Sequence, residues 1–318
     1  MDKTFYFMAG LPRSGSTLLS SILNQNPRFH SGPSSPVVPL MLVLENDLNQ
    51  DELFLAYPKM DQARKIISSV LENYYSDVTR PVVFDKNRSW VNRPEYIRGY
   101  FDIEPKILCP VRSIDEILTS FIMMCRRNPY NGKGKINFID SMLIKSDMEL
   151  TDDNRCRVIA GPGILGQSVD GIRRILEQGQ DKILHFIEYQ DLVHQPEQTM
   201  RKVYEYLEEE YYAHDFSKLE NIHRENDQAV YGFSDMHEVR EALSIAAPKP
   251  SEILSPEILA QCVNSEFWRN ITTENNTTVV DTQSTVIGAA SLPIIDGNQP
   301  IIIGDLPQPV DNDTTQPS

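Results

Sequence analysis

Cysteine is scarce: Cys109, Cys125, Cys156 and Cys262 are the four in 318 residues, and no two form a CxxC pair. Scattered through apolar or helical stretches, they lack both the pairing of a disulfide framework and the spacing of a zinc site, and read as reduced thiols. Long apolar runs are missing too, since no stretch approaches the ~20 residues that span a bilayer. Met1-Asp2-Lys3-Thr4 leads into an apolar run too short for a signal peptide, with no small-residue cleavage site behind it. A soluble cytoplasmic chain is expected. Positive charge is in deficit, with 30 Lys and Arg against 45 Asp and Glu and a net charge of −15. Phosphate neutralisation needs a basic surface, so nucleic acid is not an expected partner. An anionic small molecule still has a place if cations gather in one cleft, and Arg13, Lys86, Arg88 and Arg112 are the candidates. The apolar share of 40% is enough for a real core.

Short β-branched and aromatic runs predict buried strands at 4–9, 81–86, 106–112 and 182–187. Helical periodicity appears at 18–24, 60–75, 113–126, 166–177 and 196–209. Pro110 has no N–H to give a ladder and must stand at its strand's end. Ser113 and Glu116 have capping-box spacing. Strands alternating with helices predict an α/β fold: a central parallel sheet with helices on both faces, a three-layer, P-loop-like sandwich. Ligands in such sheets bind at the carboxyl ends of the strands, where Arg13, Lys86 and Arg112 all fall. From Thr272 the composition turns to Asn, Thr, Asp, Gln and Pro, and periodicity stops. Residues 1–271 therefore read as one domain and 272–318 as a polar tail. Its apolar pieces at 294–297 and 301–305 suggest either a short hairpin or disorder.

Between the first strand and the first helix stands Gly10-Leu11-Pro12-Arg13-Ser14-Gly15-Ser16-Thr17. A loop there points backbone N–H groups and the positive end of a helix at an anion. Gly15 lets the backbone approach closely, and Ser16 and Thr17 add hydroxyl donors. The spacing of Gly10, Gly15 and Thr17 is that of a Walker A loop, but Ser16 stands where that loop has its lysine. A triphosphate needs the lysine and a metal. With Arg13 as its cation, this loop suits a smaller anion. Glycine and serine serving only turn geometry is the bland alternative, and the adjacent strand, helix and Arg13 weigh against it.

Pro12-Arg13-Ser14-Gly15-Ser16-Thr17-Leu18 resembles the 5′-phosphosulfate loop of sulfotransferases, in the Pro-Arg-Ser-Gly form of tyrosylprotein and related enzymes. Cys109-Pro110-Val111-Arg112 followed by Ser120 resembles the family's 3′-phosphate element, Phe84-Asp85-Lys86 its strand ending in lysine, and Glu188-Tyr189-Gln190-Asp191-Leu192 its nucleotide-contacting segment. The resemblance covers residues 4 to 210. It implies 3′-phosphoadenosine 5′-phosphosulfate as donor, adenosine 3′,5′-bisphosphate as product and no metal. It also implies roles. Ser14 to Thr17 cradle the 5′-phosphate, with Pro12 and Arg13 in the same donor-binding loop; Arg13 takes the sulfuryl oxygens, Lys86 the bridging oxygen, Arg112 and Ser120 the 3′-phosphate, and Tyr189 the nucleotide. For the base that takes the acceptor's proton, His30 and Asp85 are both candidates. The acceptor is a hydroxyl on a small molecule, carbohydrate or peptide. Two departures stand out. The late Arg-Lys-Gly loop of cytosolic sulfotransferases is missing, with 231–237 as a doubtful counterpart, and Gly32-Pro33-Ser34-Ser35 replaces the Gly-Glu-Glu of tyrosylprotein enzymes. A P-loop nucleotide kinase and a non-catalytic sulfotransferase-like binding module are the rival readings.

Overall fold

A computed structural model describes residues 3–279 except 131, 133, 221–224, 235, 240–247, 270–271 and 275–276. The described residues form two compact units, 3–35 with 77–279, and 36–76. The first unit opens with β1 (Thr4–Met8), α1 (Ser16–Leu23) and β2 (Phe29–Ser34). The second unit is α2 (Val37–Gln50), α3 (Glu52–Ala56) and α4 (Met60–Tyr74), with α2 and α4 packed together. The first unit resumes with β3 (Val82–Lys86), α5 (Pro94–Phe101), β4 (Ile107–Val111) and α6 (Ile114–Arg127). After α7 (Phe138–Lys145), α8 (Asp152–Ala160) and α9 (Gln167–Glu177) come β5 (Leu184–Glu188), α10 (Tyr189–His194), α11 (Pro196–Leu207) and α12 (Asp227–Tyr231).

Five strands make one parallel sheet in the order β2-β3-β1-β4-β5. Strands covered on both faces read as continuous apolar runs, which is why β1, β3 and β4 were visible in sequence. On one face, Tyr6, Met8, Phe84 and Leu108 pack with Leu19 and Ile22 of α1 and with Met200, Val203 and Leu207 of α11. On the other face, Phe7 meets Trp90 at 4.8 Å and Phe101 at 6.3 Å between ring centroids. The expected three layers are there. The four cysteines are buried and free, and burial pushes each thiol pKa up.

Three local features differ from expectation or qualify it. Strand β2 was not foreseen, because Phe29-His30-Ser31-Gly32-Pro33-Ser34 carries glycine, proline and serines in place of an apolar run. It is an edge strand, and Gly32 and Pro33 fall where its register with β3 shifts between Ser31 and Ser34, a place where a sheet tolerates them. Pro110 lies one residue inside β4; β1 has ended at Met8 by that level, and the Pro110 carbonyl accepts from the Leu11 amide at 2.9 Å. The capping box at Ser113 does not form: Ser113 makes no side-chain cap bond, and Glu116 instead accepts from Arg112 Nε at 2.9 Å and from Gln190 Nε2 at 2.6 Å. A charged partner outbids a neutral backbone amide. Within the expected tail, β6 (Thr272–Glu274) and β7 (Thr277–Val279) pair antiparallel; the pieces at 294–297 and 301–305 lie outside the described residues.

Candidate active site

The carboxyl ends of the strands open into a cleft of about 640 Å³. From β1 the chain passes into the loop and reaches Gly15, whose φ of 90° puts the residue before α1 in the left-handed region. A Cβ at Gly15 would stand 2.8 Å from Tyr189 Cδ2, and one at Gly10 only 2.1 Å from the Pro110 carbonyl oxygen. Gly10 is thus demanded by the neighbouring strand, and Gly15 by backbone handedness and the Tyr189 ring together. The α1 ladder begins with Leu19 N–H donating to the Gly15 carbonyl at 2.9 Å. The amides of Ser16, Thr17 and Leu18 therefore have no carbonyl within the helix, and all three residues line the cleft. Ser14 turns the other way: its buried hydroxyl donates to the Leu11 carbonyl at 2.5 Å and closes the loop.

Around this loop stand the side chains from the other strand ends. Arg112 follows β4, and its guanidinium lies 4.2 Å from the centre of the Tyr189 ring at the start of α10. Arg112 Nη1 donates to the Arg13 carbonyl at 3.3 Å, tying the strand end to the loop. Arg13 Nε donates to Ser120 Oγ on α6 at 3.2 Å, and its Nη1 donates to the Met236 carbonyl. Lys86 ends β3 with its side chain 6% exposed and its Nζ 3.9 Å from Glu225 Oε1. Burial lowers the Lys86 pKa, with Glu225 and Asp227 opposing. Arg88, Arg127 and Lys249 also line the cleft, against the carboxylates of Glu116 and Glu238. A chain of net charge −15 has thus concentrated six cations at one opening, the local excess that an anionic ligand requires.

Residues 6–213 match the family model described as the sulfotransferase family. The chain belongs to the sulfotransferase family. Protein-tyrosine sulfotransferase A of Caenorhabditis elegans is 23% identical over 246 residues, 71% of this chain and 58% of that protein, so the chain spans less than two thirds of its curated relative. Among solved structures, the sulfotransferase domain from the curacin biosynthetic pathway has a TM-score of 0.43 and 18% identity over 67% of this chain and 76% of its own. Sulfotransferase STF9 from Mycobacterium avium has a TM-score of 0.42 and 15% identity, over 67% of this chain and 66% of its own.

This sulfotransferase brings Pro12, Arg13, Gly15, Ser16, Thr17, Lys86, Arg112, Ser120 and Tyr189 to one cleft. Ser14 is not among the lining residues. Neither candidate base is among the lining residues. Neighbouring residues of a strand point to opposite faces, so Lys86 at the cleft sends Asp85 to the far side of the sheet. There the Asp85 carboxylate is fully buried and accepts from Trp90 Nε1 at 2.6 Å. His30 lies on edge strand β2 beside Gly32, whose added Cβ would stand 3.3 Å from His30 Nε2. Sequence reasoning missed Glu116 and Gln190, which set Arg112 in place, and His237, which lines the cleft. Only the doubtful counterpart at 231–237 hinted at the last. Among the described residues, no helix is long and apolar enough to cross a membrane.

Proposed function

We propose that this sulfotransferase moves a sulfuryl group from 3′-phosphoadenosine 5′-phosphosulfate to an acceptor hydroxyl by in-line displacement. The observation that carries the reading is the meeting of three separate elements in one cleft: the α1 amides, Lys86 at the end of β3, and Arg112 with Ser120 after β4. A cleft of about 640 Å³ is of the size that holds small-molecule ligands. The donor would supply a sulfuryl group on a good leaving group, so positioning and charge stabilisation are what the chain must add. Ser16, Thr17 and Leu18 offer amides to the 5′-phosphate. Arg112, held by Glu116 and stacked on Tyr189, faces the 3′-phosphate with Ser120. Arg13 exchanges two neutral acceptors, Ser120 Oγ and the Met236 carbonyl, for anionic sulfuryl oxygens, which make the stronger bond. Lys86 donates to the bridging oxygen as charge gathers there.

The relative's name points to tyrosine as acceptor, while the Gly-Pro-Ser-Ser segment at 32–35 departs from the tyrosylprotein pattern. The acceptor is therefore assigned only as a hydroxyl. A Walker-type kinase is disfavoured by Ser16 in the lysine position. Two measurements test the proposal. Calorimetry should show adenosine 3′,5′-bisphosphate binding without magnesium and ATP with magnesium binding far more weakly. Labelled sulfate should then pass from the donor to one member of a panel holding a tyrosine peptide, phenols, monosaccharides and aliphatic alcohols. Tighter binding of magnesium–ATP would favour the kinase; donor binding with no transfer to any panel member would favour a non-catalytic module.

A further inference from the structure

The acceptor's proton needs a destination, and neither His30 nor Asp85 lines the cleft. One imidazole does. His237 has its Nδ1 2.7 Å from Asp227 Oδ1, and its backbone amide donates to Asp227 Oδ2 at 2.8 Å. One buried carboxylate thus fixes both the ring and the main chain that carries it. Glu225 Oε2 lies 3.4 Å from the same Nδ1, while Glu225 Oε1 lies 3.9 Å from the Lys86 ammonium. The residue before His237 gives its carbonyl to Arg13. His237 is therefore linked on one side to the cation assigned to the sulfuryl oxygens and on the other, through Glu225, to the cation assigned to the leaving oxygen. Tyr231, also lining the cleft, meets the ring edge-on at 5.7 Å.

We propose that His237, oriented by Asp227, is the general base of the transfer; the inference rests on the sulfuryl-transfer function proposed above. With Nδ1–H donating to the Asp227 carboxylate, the ring's lone pair is on Nε2. That tautomer is the one a carboxylate partner selects. As the acceptor oxygen forms its bond to sulfur, its proton passes to Nε2. The bond from sulfur to the bridging oxygen breaks, and its electron pair leaves with adenosine 3′,5′-bisphosphate, stabilised by Lys86. The imidazolium formed is held by Asp227 and Glu225 and returns its proton to solvent after release. Asp227 touches no reacting atom and is a positioning residue. The arrangement is that of a base oriented by a third group, reached here through residues about 220 positions after the phosphate loop.

The test uses the full chain and the fastest acceptor in the panel above. His237→Ala and His237→Gln should each lower kcat about 100- to 1,000-fold, the lower part of the range for general-base loss. Their affinity for adenosine 3′,5′-bisphosphate and their Tm should stay near wild type. Free imidazole should restore part of the kcat of His237→Gly, which a structural role would not allow. Asp227→Asn should lower kcat about 10-fold or more while donor affinity holds. The inference is overturned if both His237 variants keep kcat within threefold of wild type. It is equally overturned if kcat, donor affinity and Tm fall together without imidazole rescue, or if chelation abolishes wild-type turnover and a divalent ion restores it. Failure of wild-type transfer to every panel member would instead count against the underlying function, so the two failures are distinguishable.

Discussion

Arg112→Ala should weaken adenosine 3′,5′-bisphosphate about 10- to 150-fold and leave adenosine 5′-monophosphate nearly unchanged. The magnitude comes from the bond expected to be lost. A hydrogen bond to a charged group contributes about 1.5–3 kcal/mol net, and each 1.4 kcal/mol is tenfold in affinity. Arg112 is held for that contact before any ligand arrives: Glu116 holds Nε at 2.9 Å, the Arg13 carbonyl accepts from Nη1 at 3.3 Å and the Tyr189 ring lies 4.2 Å from the guanidinium. Little ordering entropy is then spent at binding, which favours the upper half of the range. Removing the arginine also exposes the Glu116 carboxylate to an anionic ligand. The double variant Arg112→Ala with Glu116→Gln separates this repulsion from the lost contact. Calorimetry at one fixed ionic strength, with both nucleotides on wild type and variants, completes the cycle. An equal loss for the two nucleotides would mean that Arg112 does not face the 3′-phosphate. No loss for either would remove it from the site altogether.

Three further outcomes follow from the geometry. Gly15→Ala should abolish nucleotide binding and cost about 1–3 kcal/mol of stability, because a Cβ in the left-handed region meets Tyr189 at 2.8 Å; a variant that still binds tightly would contradict the packing, and thermal melts with calorimetry read both. Burial holds the Lys86 ammonium below its ordinary pKa, and a phosphate anion beside it would raise that pKa again. Nucleotide binding should therefore take up a proton at a pH just above the free-protein value, visible as a buffer-dependent calorimetric enthalpy that Lys86→Met removes; proton release would refute the assignment. Asp85→Ala should destabilise the chain by about 1–3 kcal/mol through the abandoned Trp90 indole N–H, while kcat of the folded variant stays within a few-fold. A large loss of kcat at unchanged Tm would restore Asp85 as the base.

Most of the sheet was legible because a strand buried on both faces leaves a continuous apolar signature, as in Val82-Val83-Phe84 and Ile107-Leu108-Cys109. Edge strand β2 left none, since its glycine, proline and serines are tolerated only where the ladder is broken. Residues at strand ends were legible because topology alone sends Arg13, Lys86 and Arg112 to one edge. What sequence could not show is long-range pairing. Asp85 is adjacent to Lys86 in the chain yet faces away from it, and Glu116 fits a cap by spacing yet is claimed by an arginine. His237 lies far from the phosphate loop along the chain and reaches it through Asp227 on α12 and the Arg13 bond to Met236.

The four cysteines carry a consequence for handling the protein. Each thiol is buried, and each resists becoming the thiolate that reacts with alkylating reagents. Cys109 sits on β4 next to the central strand, Cys125 on α6, Cys156 on α8 and Cys262 in the segment after them. Maleimide added to the folded chain should find little to modify, and labelling rates in mild denaturant would compare the opening of the sheet at Cys109 with that of the α6–α8 region, where Cys125, Cys156 and Cys262 lie close together, without any engineered probe.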